Sequence, residues 1–595
     1  MTNKNLQSLR ASMKTHQIDA YIIPNTDAHQ SEYFADFYKT ITWICGFTGS
    51  NAAVIVTQDF AGLWTDGRYF LQADMQLKGT GFELVKLIDQ TQPEYIQWIA
   101  KHLKENQKVG FDGRLFSTSQ LQTMELLFKN KNLQIAENCD LIEGIWEDRP
   151  AIVANEIYEH DIKYAGQSRV EKITNVRSKM AEHSVENYLI TATDDIGWLF
   201  NIRGSDVDFN PVTYAFAVIS TDEAHLFIQS SKVPTSLNTT LQKDGVTLHE
   251  YDSINSFLEK LENSSILLPA GQTNIALYQA LPKSCHIAQS RSIVQILKGI
   301  KNPTEQEWLR KVMVKDGVAM VHFLKWLEDN IGKTKISELS AATKLHECRA
   351  AQDLFVGDSF PAISGYKGNG AIIHYKVSPE SDTELHADGI YLIDSGGQYL
   401  DGTTDITRTL TLGNVTEDQK NKYTLVLKGH IGLATIVFPE GTRGNQLDIL
   451  ARQALWKNAL NYRHGTGHGV GFFMNVHEGP QRIGPGAGGS FDVALQEGMY
   501  SSNEPGYYEE GEEGFGIRIE NLVITQKDQL TDYGQFFNFE TITLCPMDNQ
   551  LINVEMLTSE ERKWYNDYQQ EVFEKLSPRL DEAETLWLKE KCQAI

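Results

Sequence analysis

Apolar positions in the first half of the chain follow two periods, and the alternation occurs twice. LQSLRASMKTHQ (6–17) has helical spacing, while AYIIP (20–24) and AAVIV (52–56) are short apolar runs of strand length. Further along, ITNVRSKMAEHS (173–184) again predicts a helix, and NYLIT (187–191) and YAFAVIS (214–220) predict strands. Both stretches run helix, strand, polar segment (TDAH at 26–29, TDDI at 193–196), Gly-containing loop, apolar strand. The shared order points to an internal duplication of an α/β domain. The polar stretch NEIYEHDIKYAGQS (155–168) marks the boundary, giving domains at 1–165 and 166–301.

A third region, 302–595, has a different pattern. Pro303 and Thr304 followed by Glu305 and Glu307 start a helix, and Trp308, Val312, Val318, Val321, Leu324 and Leu327 recur at roughly helical spacing. Gly-rich strand patterns fill 360–545. The segment from 557 to 595 is helical again, with Trp564, Tyr568, Val572, Phe573, Leu586 and Trp587 on apolar faces. It either caps this domain or packs on a second subunit. The fold class expected is α/β: two related α/β domains followed by an α+β domain with a helical extension.

Composition removes several function classes. The formal charge is −24 with no basic run, which excludes nucleic acid as a partner. The first twenty residues have no apolar core of a secretory signal, and no apolar run is long enough to span a bilayer, so no membrane partner is expected. Cys45, Cys139, Cys285, Cys348, Cys545 and Cys592 are widely spaced, with no CxxC pair, and read as reduced thiols of a cytoplasmic protein.

The chemistry concentrates in the third region. RHGTGHGVGFFMNVHEGP (463–480) holds His464, His468 and His477, the first two at the interval of a helical zinc pair. Glycines at 465, 467, 469 and 471 argue against a helix, at about 1 kcal/mol each. They predict a tightly packed strand or turn instead. In an extended segment His464 and His468 share a face but lie about 13 Å apart, at ~3.3 Å per residue, too far to share one ion.

Carboxylates in apolar settings supply other donors. In GIYLIDSGGQYLDGTTDITRTLTL (389–412), Asp394 ends an apolar run and Asp405 precedes the next, with the turn signals Gly396-Gly397 and Asp401-Gly402 between. The two aspartates are expected on neighbouring antiparallel strands. Glu504 precedes Pro505-Gly506, and Glu520 falls in the alternating run GFGIRIENLVI (514–524) with Arg518 on the same face. One buried acid is usually an ion pair; four, with a histidine, are better explained by a shared cation site. Such a donor set suits Mn²⁺, Co²⁺, Fe²⁺ or Zn²⁺.

AIIHYKV (371–377), IDSGGQYLDGTTDITRT (393–409), HGTGHGVGFFMNVHEGP (464–480), NEPGYY (503–508) and GIRIENL (516–522) together resemble the aminopeptidase P (Xaa-Pro aminopeptidase) group of the pita-bread, creatinase-related metallopeptidases. YIIPNTDAHQSEY (21–33), GFTGSNAAVIV (46–56) and WTDGRYFLQA (64–73) are similar to the N-terminal domain of its three-domain cytosolic members. The resemblance implies two creatinase-like domains, then a pita-bread catalytic domain. It implies two divalent ions, Mn²⁺ first with Co²⁺ or Zn²⁺ as alternatives, on Asp394, Asp405, His468, Glu504 and Glu520. Asp405 and Glu520 would bridge the ions, Asp394 would complete one, and His468 and Glu504 the other. His374, His477 and Glu504 become catalytic. Arg68, His374, His464, His468, His477, Glu504 and Arg518 become substrate-binding residues.

The implied reaction releases the first residue of peptides with proline in the second position, through a hydroxide bridging the ions. A homodimer is also implied. The alternatives are a prolidase acting on Xaa-Pro dipeptides and a non-catalytic pita-bread binding protein. Several residues also have plainer readings: His374 as a core histidine, His464 bonded to a backbone carbonyl, Arg518 as a counter-charge for Glu520, and Asp401 and Glu478 as turn residues.

Overall fold

Two six-stranded sheets built from the first half of the chain have the same strand order and the same directions. The computed structural model describes residues 3–88, 93–486, 493–511 and 513–595. In the first sheet, β1 (Ala20–Pro24), β2 (Ala53–Thr57), β3 (Ala61–Thr65), β4 (Glu83–Lys86), β5 (Lys108–Gly110) and β6 (Gln134–Ala136) lie in the order β4-β3-β2-β1-β5-β6. The second consists of β7 (Asn187–Ile190), β8 (Ala215–Ser220), β9 (Ala224–Ile228), β10 (Val246–His249), β11 (Ser265–Leu268) and β12 (His286–Gln289), ordered β10-β9-β8-β7-β11-β12. In each, the central three strands are antiparallel neighbours and the outer pairings are parallel.

The helix before each first strand forms for local reasons. Lys4–Thr15 starts at Asn3, whose side chain accepts from the Leu6 amide, and it buries Leu6, Leu9 and Met13. Arg169–Glu182 opens with a Ser168/Glu171 capping box and buries Ile173, Val176 and Met180.

The chain divides into two compact units. One comprises Met1–Ile162 and Gln167–Ile296, and the other Lys163–Gly166 and Leu297–Ile595. The second unit opens with the helix Pro303–Asn330, started by an Asn302/Glu305 capping box with proline in its first turn. Leu309, Val312, Val318, Val321, Leu324 and Leu327 are buried along it, whereas Trp308 is only half-buried and packs edge-on against Tyr164.

Two sheets position the candidate site. One places Ile390–Ser395 between Ile363–Tyr366 and Ile406–Thr411, all antiparallel. The other runs Phe438–Pro439, Gly534–Thr541, Asn521–Thr531, Tyr500–Asn503.

The C-terminal segment forms the helices Ser559–Leu576 and Glu582–Lys591. Tyr565, Tyr568, Val572, Leu576 and Leu588 are buried in one apolar cluster with Val426, Ile517 and Ile519, so the segment caps its own domain. Each such side chain contributes about 1.5–3 kcal/mol through burial. Leu586, expected on an apolar face, is exposed. The cap also reaches the site's supports. Arg408, fully buried, donates from Nη2 to the Tyr568 hydroxyl at 2.9 Å and from Nη1 to the Glu520 carbonyl at 2.7 Å. All six cysteines are free, and no helix among the described residues is long and apolar enough to cross a membrane.

Candidate metal centre

Five polar residues converge because strand ends deliver them. Asp394 is the penultimate residue of Ile390–Ser395 and faces Thr407 in register, and Asp405 stands just before Ile406–Thr411. The chain between them folds back through Gly397–Tyr399 paired with Gly402–Thr403. At Gly396 a Cβ would lie 2.0 Å from the Thr404 carbonyl oxygen, so only glycine permits this return. Glu504 follows the Tyr500–Asn503 strand. Glu520 lies in the break between Phe515–Arg518 and Asn521–Thr531, not within one continuous strand as its alternation suggested.

Asp405, His468 and Glu520 each offer a ligand atom, all within 4.8 Å of one another. His468 Nε2 is 3.5 Å from Asp405 Oδ2 and 3.5 Å from Glu504 Oε1. Its Nδ1 donates to the Gly469 carbonyl at 3.0 Å, which turns Nε2 toward the carboxylates. Asp394 joins through Arg518, whose Nη2 donates to Asp394 Oδ2 at 2.6 Å and whose Nε donates to Thr407 Oγ1 at 3.1 Å. Thr407 Oγ1 in turn donates to Glu520 Oε2 at 2.7 Å. Arg518 is therefore the counter-charge of Asp394, not of Glu520.

The donor set fits divalent cations. Asp394 Oδ1 and Glu520 Oε1 are buried and have no hydrogen-bond partner among the described residues, which is costly unless a cation takes their lone pairs. Burial, reinforced by the Asp394 and Glu504 charges against the pull of His468, pushes the Asp405 carboxyl up to about 6. Burial and the neighbouring carboxylates raise Glu520 well above the usual range. Burial alone would lower the His468 imidazole, but the Asp405 hydrogen bond and the Glu504 charge outweigh it and raise it to about 9.

The glycine-rich stretch is irregular, not helical, with a two-residue strand Gly467–His468 paired to Arg482–Ile483. A Cβ would meet the Ser502 oxygen at 2.0 Å from position 467, the Glu478 oxygen at 2.1 Å from 469 and the Asn475 oxygen at 2.7 Å from 471. Three of the four glycines thus permit close backbone contact, whereas at 465 the nearest atom is 3.4 Å away. His477 sets its ring edge-on to His468, with centroids 4.3 Å apart. His464 bonds the Gly465 carbonyl at 2.7 Å, as its plainer reading supposed, and also the Tyr508 hydroxyl at 2.9 Å.

His374 lies half-buried in the segment after Lys367–Ala371. Its neighbour Tyr375 donates to Glu338, a buried carboxylate that also accepts from the Tyr366 amide and the Asn369 side chain. Arg68 belongs to the other unit, where Nε and Nη2 grip Asp66 at 2.9 and 2.8 Å.

One of the two turn assignments needs correction, and the other holds with an added ion pair. Glu478 is buried and paired with Lys301 at 2.6 Å and Lys298 at 3.1 Å, which anchors the residue next to His477. Asp401 does sit in a turn, but it is buried against Lys315 at 2.7 Å. Tyr508, which also accepts from Arg518 Nη1 at 2.6 Å, and Glu338 were missed. The Glu338 partners are remote in sequence, whereas Tyr508 lies ten positions from Arg518 and belongs to the Tyr-Tyr pair after Glu504.

Similarity to known proteins covers the whole chain. The creatinase/prolidase N-terminal domain matches residues 5–144 and, as a second form, 148–305. Metallopeptidase family M24 matches 307–527, and the C-terminal region of peptidase M24 matches 535–595. A probable Xaa-Pro aminopeptidase P of Laccaria bicolor is 40% identical over 100% of this chain and 94% of its own length. Aminopeptidase P2 of Arabidopsis thaliana is 39% identical over 96% of this chain and 85% of its own. The crystal structure of X-prolyl aminopeptidase from Caenorhabditis elegans, a cytosolic enzyme with a di-nuclear active site, superposes with a TM-score of 0.94 at 33% identity, covering 100% and 99% of the two chains.

Proposed function

Because the chain belongs to the Xaa-Pro aminopeptidase P family of M24 metallopeptidases, we propose that it is a metal-dependent exopeptidase that removes the first residue from peptides with proline second. The observation that carries this reading is the convergence of Asp405, His468 and Glu520 on one point, with the buried oxygens Asp394 Oδ1 and Glu520 Oε1 lacking a hydrogen-bond partner among the described residues. In this reading Asp394, Asp405, His468, Glu504 and Glu520 hold two divalent ions, Mn²⁺ first and Co²⁺ or Zn²⁺ as alternatives. Two divalent ions held by these residues would supply acidification of water and polarisation of the scissile carbonyl.

The chain's own residues do the rest. Glu504 Oε1, which accepts from Ser502 Oγ at 3.2 Å, takes the proton of the attacking water. His477 and His374 donate hydrogen bonds to the developing oxyanion and help relay the proton taken by Glu504 to the leaving nitrogen. His464, through Tyr508, and Arg518 hold the wall beside Asp394. Arg68 is assigned to substrate binding from the family resemblance. The bond to proline is a tertiary amide without N–H, so a site built for it needs no acceptor at that position. The same reading places domains at 1–165, 166–301 and 302–595, and makes the protein a cytoplasmic homodimer.

Purified protein is expected to release the first residue of an Xaa-Pro-Yaa tripeptide, to stop after chelation and to resume with Mn²⁺. Cleavage of Xaa-Pro dipeptides alone would make it a prolidase. No cleavage with any of the three metals would make it a binding protein.

A further inference from the structure

Glu504 and Glu520 are each flanked by a buried asparagine, Asn503 and Asn521, and these two are paired in register on antiparallel strands. Against the pair sits His430, from the helix Glu417–Ala434, also fully buried. Its Nδ1 is 3.1 Å from the Asn503 carbonyl oxygen and its Nε2 is 3.2 Å from Asn521 Nδ2. A carbonyl only accepts, so Nδ1 carries the proton. An amide nitrogen only donates, so Nε2 presents its lone pair. The orientation of the Asn521 amide is set independently, because its Oδ1 accepts from Arg408 Nη2 at 2.8 Å. A neutral imidazole with its proton on Nδ1 satisfies the Asn503 carbonyl and the Asn521 amide together, and the Ile519 backbone is a further partner of the ring.

The chain of contacts continues. Asn503 Nδ2 donates back to the His430 carbonyl at 2.9 Å. Arg408, on the strand that follows Asp405, donates to the Glu520 carbonyl at 2.7 Å. One buried network therefore touches the backbone that carries Asp405, Glu504 and Glu520, without touching a ligand side chain.

We propose that His430 is a positioning residue that sets the separation of Glu504 and Glu520, and through it the geometry of the metal centre. This rests on the ligand assignment above. Groups hydrogen-bonded to the ligands themselves typically govern metal affinity by about 10–100-fold, and His430, one contact further out, acts at the lower end of that range.

The test loads Co²⁺ into wild type, His430→Leu and His430→Asn as full-length proteins. It records the dissociation constant, the visible absorption spectrum and, on an Xaa-Pro-Yaa peptide, kcat and KM. Wild type is expected to bind two Co²⁺; failure to bind would overturn the ligand assignment and this inference with it. His430→Leu is expected to weaken Co²⁺ binding about 10-fold, to alter the absorption bands and to lower kcat with little change in KM. His430→Asn, which keeps a donor toward Asn503, is expected to fall between. Wild-type affinity and spectrum in either folded variant would overturn the inference, and His430→Asn decides it if His430→Leu does not fold.

Discussion

Arg518 shows how much one side chain can organise at this centre: its guanidinium holds Asp394, Thr407 and Tyr508 from three different nitrogens. A lysine carries the charge but not the planar fork. Arg518→Lys is expected to lower kcat/KM about 10–100-fold with the fold intact, measured by steady-state kinetics alongside circular dichroism. Asp405→Asn removes a carboxyl that native burial already pushes up to about 6. It should abolish turnover while the metal-free protein unfolds at no lower denaturant concentration than wild type. Full activity in that variant would remove Asp405 from the centre. His430 adds a pH dependence. Burial, with the Arg408 charge behind it, holds its imidazole down to about 3 against 6.5 for an ordinary histidine. Below 6.5 the unfolded chain gains a proton that the folded chain refuses, so this contribution to stability is present above 6.5 and lost as pH falls toward 3. Relative to His430→Asn, wild type should lose about 2 kcal/mol between pH 7.5 and pH 5, read from unfolding curves. Four of the five ligand candidates were visible in the sequence because each interrupts or ends an apolar or glycine-rich run, and Glu504 because it precedes the Pro505-Gly506 turn signal. The partners of Asp394 and Glu478 were not, since they lie 124 and 177 positions away.

Among the elements, the glycine-rich stretch is the most demanding. Its glycines argued correctly against a helix, but not which of them mattered, because that depends on which backbone lies opposite. Ser502 is opposite Gly467, and its hydroxyl also accepts from the His468 amide at 3.0 Å. A methyl at 467 must separate the segments that bear His468 and Glu504. Gly467→Ala should cost about 1–3 kcal/mol and most of the activity, whereas Gly465→Ala should stay within about twofold of wild type. Equal behaviour of the two variants would show that the close approach is unimportant. The helical patterns at both ends of the catalytic region were readable from spacing alone. The capping position of the C-terminal helices was not, since an apolar face does not name what covers it.

Over the whole molecule, the repeated order of helix, strand, polar segment and strand was legible as a duplication, and the two sheets share order and directions. The two compact units provide a way to separate metal effects from general ones. An ion that binds only folded protein stabilises it by RT ln(1 + [L]/Kd), about 2.7 kcal/mol at a hundredfold excess over Kd. Chelation should lower the calorimetric transition of the unit containing Leu297–Ile595 and leave the other in place. Equal shifts in both would mean that the units unfold together.

The contact between Tyr568 and Arg408 has a consequence in time. A ribosome completes every segment that bears a candidate ligand before it makes the helix Ser559–Leu576. Tyr568 emerges about fifty residues after Glu520, several seconds later at about 5–20 residues per second. Until then the Arg408 guanidinium lacks its hydroxyl partner and the apolar cluster beneath it lies open. The nascent chain thus carries all five candidate ligands before Arg408 has its full set of partners, and the helix made afterwards supplies the last of them.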